Sequence, residues 1–268
     1  MTPTLRIAVN VFRESVRDKV LYNLVLFAVL MIGASYLVGQ LTAGQDLKII
    51  KDLGLSATAI FGLFIAVFIG IGLVSKEVER RSIYSLLSKP IHRYQIVLGK
   101  FFGLVLTLAV NLTVMAIAIY AVIALMLALG DSTSAAAADA RPLDPALVKA
   151  VGMIFVELSL VTAIALCLST FSTPIVAAAL TFGIYIVGHF SSDLRNFRDV
   201  VDSPAAAGLA NGLYWVLPNL AQFDIKADVV HGQHVSLGYL AMAAGYGGVY
   251  IAMLLTLSML IFSRRDFK

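Results

Sequence analysis

The chain has 268 residues, of which 60% are hydrophobic and 13% charged, and its mean hydropathy is +0.91. This composition excludes an ordinary soluble domain. The net charge of +4 comes from basic residues that flank apolar runs, which does not indicate a nucleic-acid partner, and the single Cys167 excludes an internal disulfide. The chain is therefore predicted to be an all-α integral membrane protein.

The first predicted element is an amphipathic helix at residues 4–19. Leu5, Val9, Phe12 and Val16 form one apolar stripe at helical spacing, and arginines lie beside it. Such a helix lies in the headgroup region, with its arginines near anionic lipid. The alternative is a helix that packs on a partner. Because it contains acidic residues and no cleavage site ends the apolar run that follows, a removable signal peptide is not predicted.

Six membrane spans are predicted within one transmembrane domain, residues 1–268. They lie at about 20–38, 53–74, 101–129, 150–171, 174–190 and 237–262. In the second span Gly62, Ala66 and Gly70 recur every four residues, which produces a ridge of small residues that another helix can approach closely. The ridge does not indicate whether that helix belongs to this chain or to another.

Polar residues and prolines predict the connections between spans. Gln40–Asp52 and Gly130–Lys149 are predicted to be loops, the second because Pro142 and Pro145 break helices. The return between spans four and five is short, so Thr173 is a candidate N-cap before a proline in the first helical position.

The longest connection covers residues 191–236. It is too long for a simple turn, and Trp215 follows Tyr214, a pair typical of the membrane interface. We predict one or two short helices that lie on the outer leaflet or dip into it. The alternative is a small packed cap over the helix bundle.

The basic residues predict the orientation. Thirteen Lys and Arg residues fall in the N-terminal helix, the 75–100 loop and the C-terminal tail, and seven fall on the opposite side. Because basic loops remain in the cytoplasm, both termini are predicted to be cytoplasmic, in a multi-pass protein of the cell inner membrane.

The 75–100 loop reads SKEVERRSIYSLLSKPIHRYQIVLGK. Besides the basic residues that set the orientation, it contains apolar residues at helical spacing. Ile83, Leu86 and Leu87 are apolar residues at i, i+3 and i+4 within an otherwise polar stretch, which favours docking onto a partner. Pro90 disfavours helix at the preceding residue and so ends the element. The alternative is a loop that binds nothing.

These features together resemble the permease subunits of type-2 ABC transporters. The loop is similar to the family pattern of an acidic start, a Leu-Leu pair, a Ser-x-Pro step, an Arg and then Gly-Lys, and the chain ends in a similar Arg-Arg-Asp-Phe tail. The branch it resembles is the stand-alone permeases grouped with those serving multicopper-enzyme maturation and gliding machinery.

The resemblance implies an exporter in which two permease halves, identical or different, each sit under a cytoplasmic ABC ATPase subunit. It implies a coupling helix at Glu77–Leu87. The docking residues would be Glu77, Glu79, Arg80, Arg81, Ile83, Leu86 and Leu87. No phosphate loop occurs in this chain, so it is not expected to be an enzyme by itself. ATP and Mg are expected on the partner ATPase, and this chain is expected to bind no cofactor.

Glu157 is the only acidic residue within a predicted span, where a charge is costly. One interpretation is a contact for substrate or a proton, and the other is a structural glutamate that is protonated or hydrogen-bonded. Asn111 and Thr113 in span three are its candidate polar partners.

Several other residues suggest weaker hypotheses. Asp228, His231 and His234 are spaced by three and His189 ends span five, a set that could ligate zinc or copper. Because Gly232 weakens a helix there and such histidines are usually solvated, no metal site is predicted. Cys167 is expected to be a small packing residue.

Two alternative functions remain at this stage. In the first, ATP cycles move an extracytoplasmic partner mechanically and nothing crosses the membrane. The second is an ion-coupled carrier or an intramembrane enzyme. Both versions of the second are disfavoured, because convergent catalytic groups and an inverted repeat are not found in the spans.

Overall fold

The computed structural model describes residues 3–41, 46–79, 93–129, 144–191, 208, 212, 214 and 216–264, with the backbone alone at 73–79, 93 and 263–264. In chain order the helices are α1 (Pro3–Val16), α2 (Lys19–Gln40), α3 (Asp46–Glu79), α4 (Arg93–Leu129), α5 (Pro145–Ser169), α6 (Pro174–His189), a 3-10 turn at Ala221–Phe223, α7 (Lys226–Val230) and α8 (Leu237–Arg264). Within these residues the fold is all-α, as predicted.

Five of the described helices are long and apolar enough to cross a membrane, namely α2, α3, α4, α5 and α8. The helix α6 has 16 residues, which is about 24 Å at 1.5 Å per residue and shorter than the ~30 Å hydrocarbon core. Its end is covered by protein, because the Leu220 N–H donates to the Gly188 carbonyl at 3.0 Å. The prediction of an integral membrane protein is confirmed.

The second and fourth spans begin earlier than predicted. Helix α3 starts at Asp46, inside the segment predicted to be a loop, and Lys51 donates to the Asp144 carboxylate at 2.5 Å. Asp144 also caps α5 by accepting from the Ala146 N–H at 3.0 Å, with Pro145 in the first turn. The loop prediction is therefore wrong from Asp46 and from Pro145 onward, because polar groups that the sequence assigns to water are paired within the protein.

The N-terminal helix α1 packs against the first turns of α4. A Cβ atom on Gly99 would lie 2.7 Å from the Cβ of Ile7, and one on Gly103 would lie 2.7 Å from the carbonyl oxygen of Ala8. The two glycines, one helical turn apart, thus form a groove that admits α1. The inner face of α1 therefore contacts protein, namely α4 of the same chain.

The centre of the bundle consists of α3 and α5. In each of them 72% of the most apolar stretch is buried, against 22% in α2 and α4 and 17% in α8. The outer three helices therefore present apolar surface outward, as expected of helices that face lipid. The void among α3, α4 and α5 holds only about 10 Å³, roughly one water.

The ridge of small residues in α3 faces these neighbours. A Cβ atom on Gly62 would collide with Leu158 of α5 and approach Leu112 of α4, and one on Gly70 would lie 3.6 Å from the Cβ of Ala165. Ala66 between them is buried at 4% exposure. In the structure the ridge is thus occupied by helices of its own chain.

The two ends of the bundle differ. At one end, which we call the α1 end, the last turns of α8 pack near the start of α4, where Val97, Phe101 and Leu255 share one apolar cluster. The start of α1, the end of α3 and the end of α8 therefore lie on the same side of the bundle. The opposite end, which we call the cap end, holds residues 217–236.

Residues 217–236, which we call the cap, pack onto the bundle. Leu220, Phe223, Ile225 and Val229 are at most 2% exposed, and the short helix α7 contacts α3 and α5. For these residues the packed cap predicted as the alternative describes the structure, because their apolar side chains face protein. The rest of the 191–236 segment lies largely outside the described residues.

Hydrogen bonds from α8 secure the cap. The Asn219 N–H donates to the Tyr246 hydroxyl at 2.9 Å, and the Tyr239 hydroxyl donates to the Gln222 carbonyl at 2.7 Å. At the other end of the bundle Thr173 takes the predicted N-cap position of α6, ahead of Pro174, without a side-chain capping bond.

Candidate functional site

The predicted coupling segment joins α3 to α4 at the α1 end. The backbone of α3 remains helical through Glu77 and Glu79, and α4 begins at Arg93, earlier than the predicted third span. The remaining predicted docking residues lie outside the described residues: Arg80, Arg81, Ile83, Leu86 and Leu87. The segment is thus attached on one side to α3, one of the two most buried helices of the bundle, and on the other to α4, which packs against α1.

A buried acid lies near the opposite end of the bundle. Glu157 of α5 is 2% exposed, and its Oε1 lies 3.2 Å from Nε2 of His189, the last residue of α6. Its neighbour in the structure is therefore a histidine that the sequence had suggested only as a metal ligand. Because the two residues belong to different helices, no spacing in the sequence relates them.

The predicted partners of Glu157 are wrong. The Asn111 side chain donates to the Thr107 carbonyl and the Thr113 hydroxyl to the Ala109 carbonyl, both at 2.7 Å. Each of these side chains reaches the carbonyl four residues earlier in its own helix, which is the nearest acceptor for a short polar side chain within a helix.

A pocket of about 390 Å³ opens at the cap end next to this pair. The described part of its lining comes from three parts of the fold: Asp52 of α3, His189 of α6, and Ala221, Asp224, Lys226 and Ala227 of the cap. His189 therefore separates the pocket from Glu157. Sequence reasoning missed this pocket, because Asp52 and the cap are far apart along the chain.

The remaining candidates are more ordinary. Among the described residues no three His, Cys, Asp or Glu side chains are grouped so as to hold a metal ion. His231 and His234 are exposed on the cap. Cys167 is buried within α5 as a free thiol, a position that suits a small packing residue.

The comparison with known families covers this whole arrangement. The sequence profile of a family described as "ABC-2 family transporter protein" matches residues 5–267, from α1 through the cap to the end of α8. No curated protein is significantly similar in sequence to this chain. The resemblance to type-2 ABC permeases is confirmed, and the family implies in general a partner ATPase and a dimer in the membrane. The chain belongs to the ABC-2 family and is a multi-pass permease subunit of an ABC transporter.

Proposed function

We propose that this permease is the membrane half of an ATP-driven exporter and that a separate cytoplasmic ATPase docks on Glu77–Leu87. The family match over residues 5–267 carries the proposal. The sequence contains no phosphate loop, so ATP and Mg bind to the partner and the permease hydrolyses nothing itself. A second permease half, identical or different, completes the path across the membrane.

The position of α3 supports this role for the coupling segment. The helix runs 34 residues from Asp46 to Glu79, about 51 Å at 1.5 Å per residue. Its middle packs on α5 through the ridge of small residues, and Asp52 near its start lines the pocket at the cap end. A displacement of the coupling segment is therefore passed along a rigid, buried helix to the other side of the bundle.

We propose that the permease lies in the inner membrane and that its α1 end faces the cytoplasm. The positive-inside distribution of basic residues supports it. Single cysteines at two exposed positions, Asn10→Cys in α1 and Gln233→Cys in the cap, test it in a Cys167→Ser background.

We expect a membrane-impermeant maleimide to label Gln233→Cys in intact cells and Asn10→Cys only after the membrane is permeabilised. Both positions are exposed in the protein, so the membrane barrier alone decides which of them the reagent reaches. Labelling of Asn10→Cys in intact cells would reverse the orientation.

Export itself is tested by reconstitution. The tagged permease is purified with the ATPase that accompanies it and incorporated into vesicles with the ATPase outside. ATP is expected to drive accumulation of a labelled candidate compound, and a non-hydrolysable ATP analogue is expected not to. ATP hydrolysis that depends on the permease, without accumulation of any compound in a broad panel, would favour mechanical transmission to an extracytoplasmic partner instead.

A further inference from the structure

Among the residues that the structure describes, the lining of the pocket at the cap end contains one carboxylate without an ion-pair partner. Lys226 Nζ lies 3.5 Å from Asp224 Oδ2, so these two lining residues compensate each other. Asp52 is exposed, and within the described part of the chain no basic side chain forms an ion pair with it. The adjacent Lys51 is directed to Asp144 instead, at 2.5 Å. An exposed carboxylate in the pocket lining is thus available to a ligand.

A second carboxyl group lies behind the pocket wall. Glu157 is 2% exposed, and its Oε1 accepts no hydrogen bond from any residue that the structure describes. Buried acceptors normally have donors, because an unsatisfied one loses its hydration without compensation. Its near neighbour is Nε2 of His189, 3.2 Å away, and the ring of His189 forms part of the pocket lining.

The hydrogen bond of the other ring nitrogen of His189 indicates the protonation state of the pair. Nδ1 is 3.1 Å from the Tyr185 carbonyl, which can only accept, so Nδ1 carries the hydrogen. In a neutral ring Nε2 then carries only a lone pair, and it lies 3.2 Å from Oε1 of an ionised Glu157, so the two electron-rich atoms repel. One additional proton, on either Nε2 or Oε1, removes this repulsion. With that proton the pair is neutral, and without it the pair carries one negative charge.

We propose that this pocket binds a small organic ammonium ion and that the Glu157–His189 pair releases one proton to solvent when the cation binds. Asp52 is the anionic anchor in the pocket lining, and the methyl groups of Ala221 and Ala227 face the carbon part of the ligand. A volume of about 390 Å³ lies within the range of small-molecule sites, roughly 300–1,000 Å³. A metal ion fits less well, because the described side chains provide no set of three ligands.

Proton release follows from the charges around the pair. The charged or titratable groups that face it are Tyr185 of α6, Asp52 of α3, and the mutually compensated Asp224 and Lys226 of the cap. The Tyr185 side chain interacts with the Glu157 carboxyl, and its ring centroid is 4.5 Å from that of His189. A bound cation adds positive charge beside the pair, so the proton-free, negative form of the pair is favoured. Proton and cation therefore compete, and binding strengthens as pH rises.

Calorimetry on the purified full-length permease, without any ATPase, tests the site independently of the proposed transport. The probe is n-butylammonium, and n-butanol and butyrate are neutral and anionic compounds of the same length. We expect saturable binding of butylammonium, at least about tenfold tighter than of either control compound. Titration in buffers of different ionisation enthalpy is expected to show release of a fraction of one proton.

Substitutions at Asp52 and Glu157 test which residue binds the cation and which releases the proton. Asp52→Asn, at an exposed position, is expected to weaken butylammonium binding about tenfold or more, whereas Asp46→Asn in the same helix and outside the pocket leaves it unchanged. Glu157→Gln is expected to bind the cation without releasing a proton, and His189→Asn serves the same purpose if the first variant does not fold. Equal binding of butanol, equal effects of the two aspartate variants, or unchanged proton release in Glu157→Gln would each overturn the proposal.

Discussion

Replacing both Leu86 and Leu87 by aspartate is expected to abolish co-purification of the ATPase with the permease while membrane insertion continues. In the proposed complex these leucines are the apolar anchor of the coupling segment, and burying one leucine is worth about 1.5–3 kcal/mol. Two aspartates remove that contribution and add charges that must be desolvated at the interface. The affinity is therefore expected to fall by a factor on the order of 100 or more, as measured by pull-down with a tagged permease.

The matched control is Ser85→Asp together with Ser88→Asp, which adds the same charge to the same segment and keeps both leucines. This variant is expected to retain most of the bound ATPase. If the leucine variant retained the ATPase as well, the assignment of the docking surface to Glu77–Leu87 would be wrong. Equal loss in both variants would mean that charge alone, and no apolar anchor, governs docking.

Gly103→Val is expected to displace α1 from the bundle. A Cβ atom at this position would lie 2.7 Å both from the carbonyl oxygen of Ala8 and from the Cβ of Val11. One of these obstacles is backbone, so a rotamer change cannot relieve the clash and the helix itself must move. Overpacking of this kind typically costs about 1–3 kcal/mol, and part of the cost is avoided here by detachment of α1.

Displacement of α1 is measured by two independent signals in detergent. The thermal denaturation midpoint is expected to fall, and trypsin is expected to cleave faster after Arg13 and Arg17, which lie on α1 and just after it. Gly152→Val is the control, because a Cβ atom there meets nothing within 4 Å and the same helix-propensity cost applies. Equal behaviour of the two variants would show that α1 does not depend on the glycine groove.

Local composition was sufficient to predict the membrane class, the order of the long apolar helices and the tight return at Thr173. A spanning helix is a property of some 20 consecutive residues, so it can be read without knowing what surrounds it. The same holds for the resemblance to ABC permeases, which rests on the order of elements and on one loop.

Helix boundaries were less predictable, because the polar residues near them have partners that only the fold brings close. Asp46–Asp52 is polar enough to read as a loop, yet Lys51 pairs with Asp144 and the helix continues. Pro145 reads as a helix breaker and instead stands in the first turn of α5, where the absence of its N–H costs nothing.

The chain by itself therefore predicted the long apolar helices and the family resemblance, because hydropathy and motif order are local properties. Only the tertiary structure decided what faces the ridge at Gly62, which helix receives α1, and which side chain meets Glu157. Each of these is a contact between helices that are distant along the chain. Which residues meet in these contacts depends on how helices of different length pack against one another. The periodicity of residues within one helix does not predict that packing.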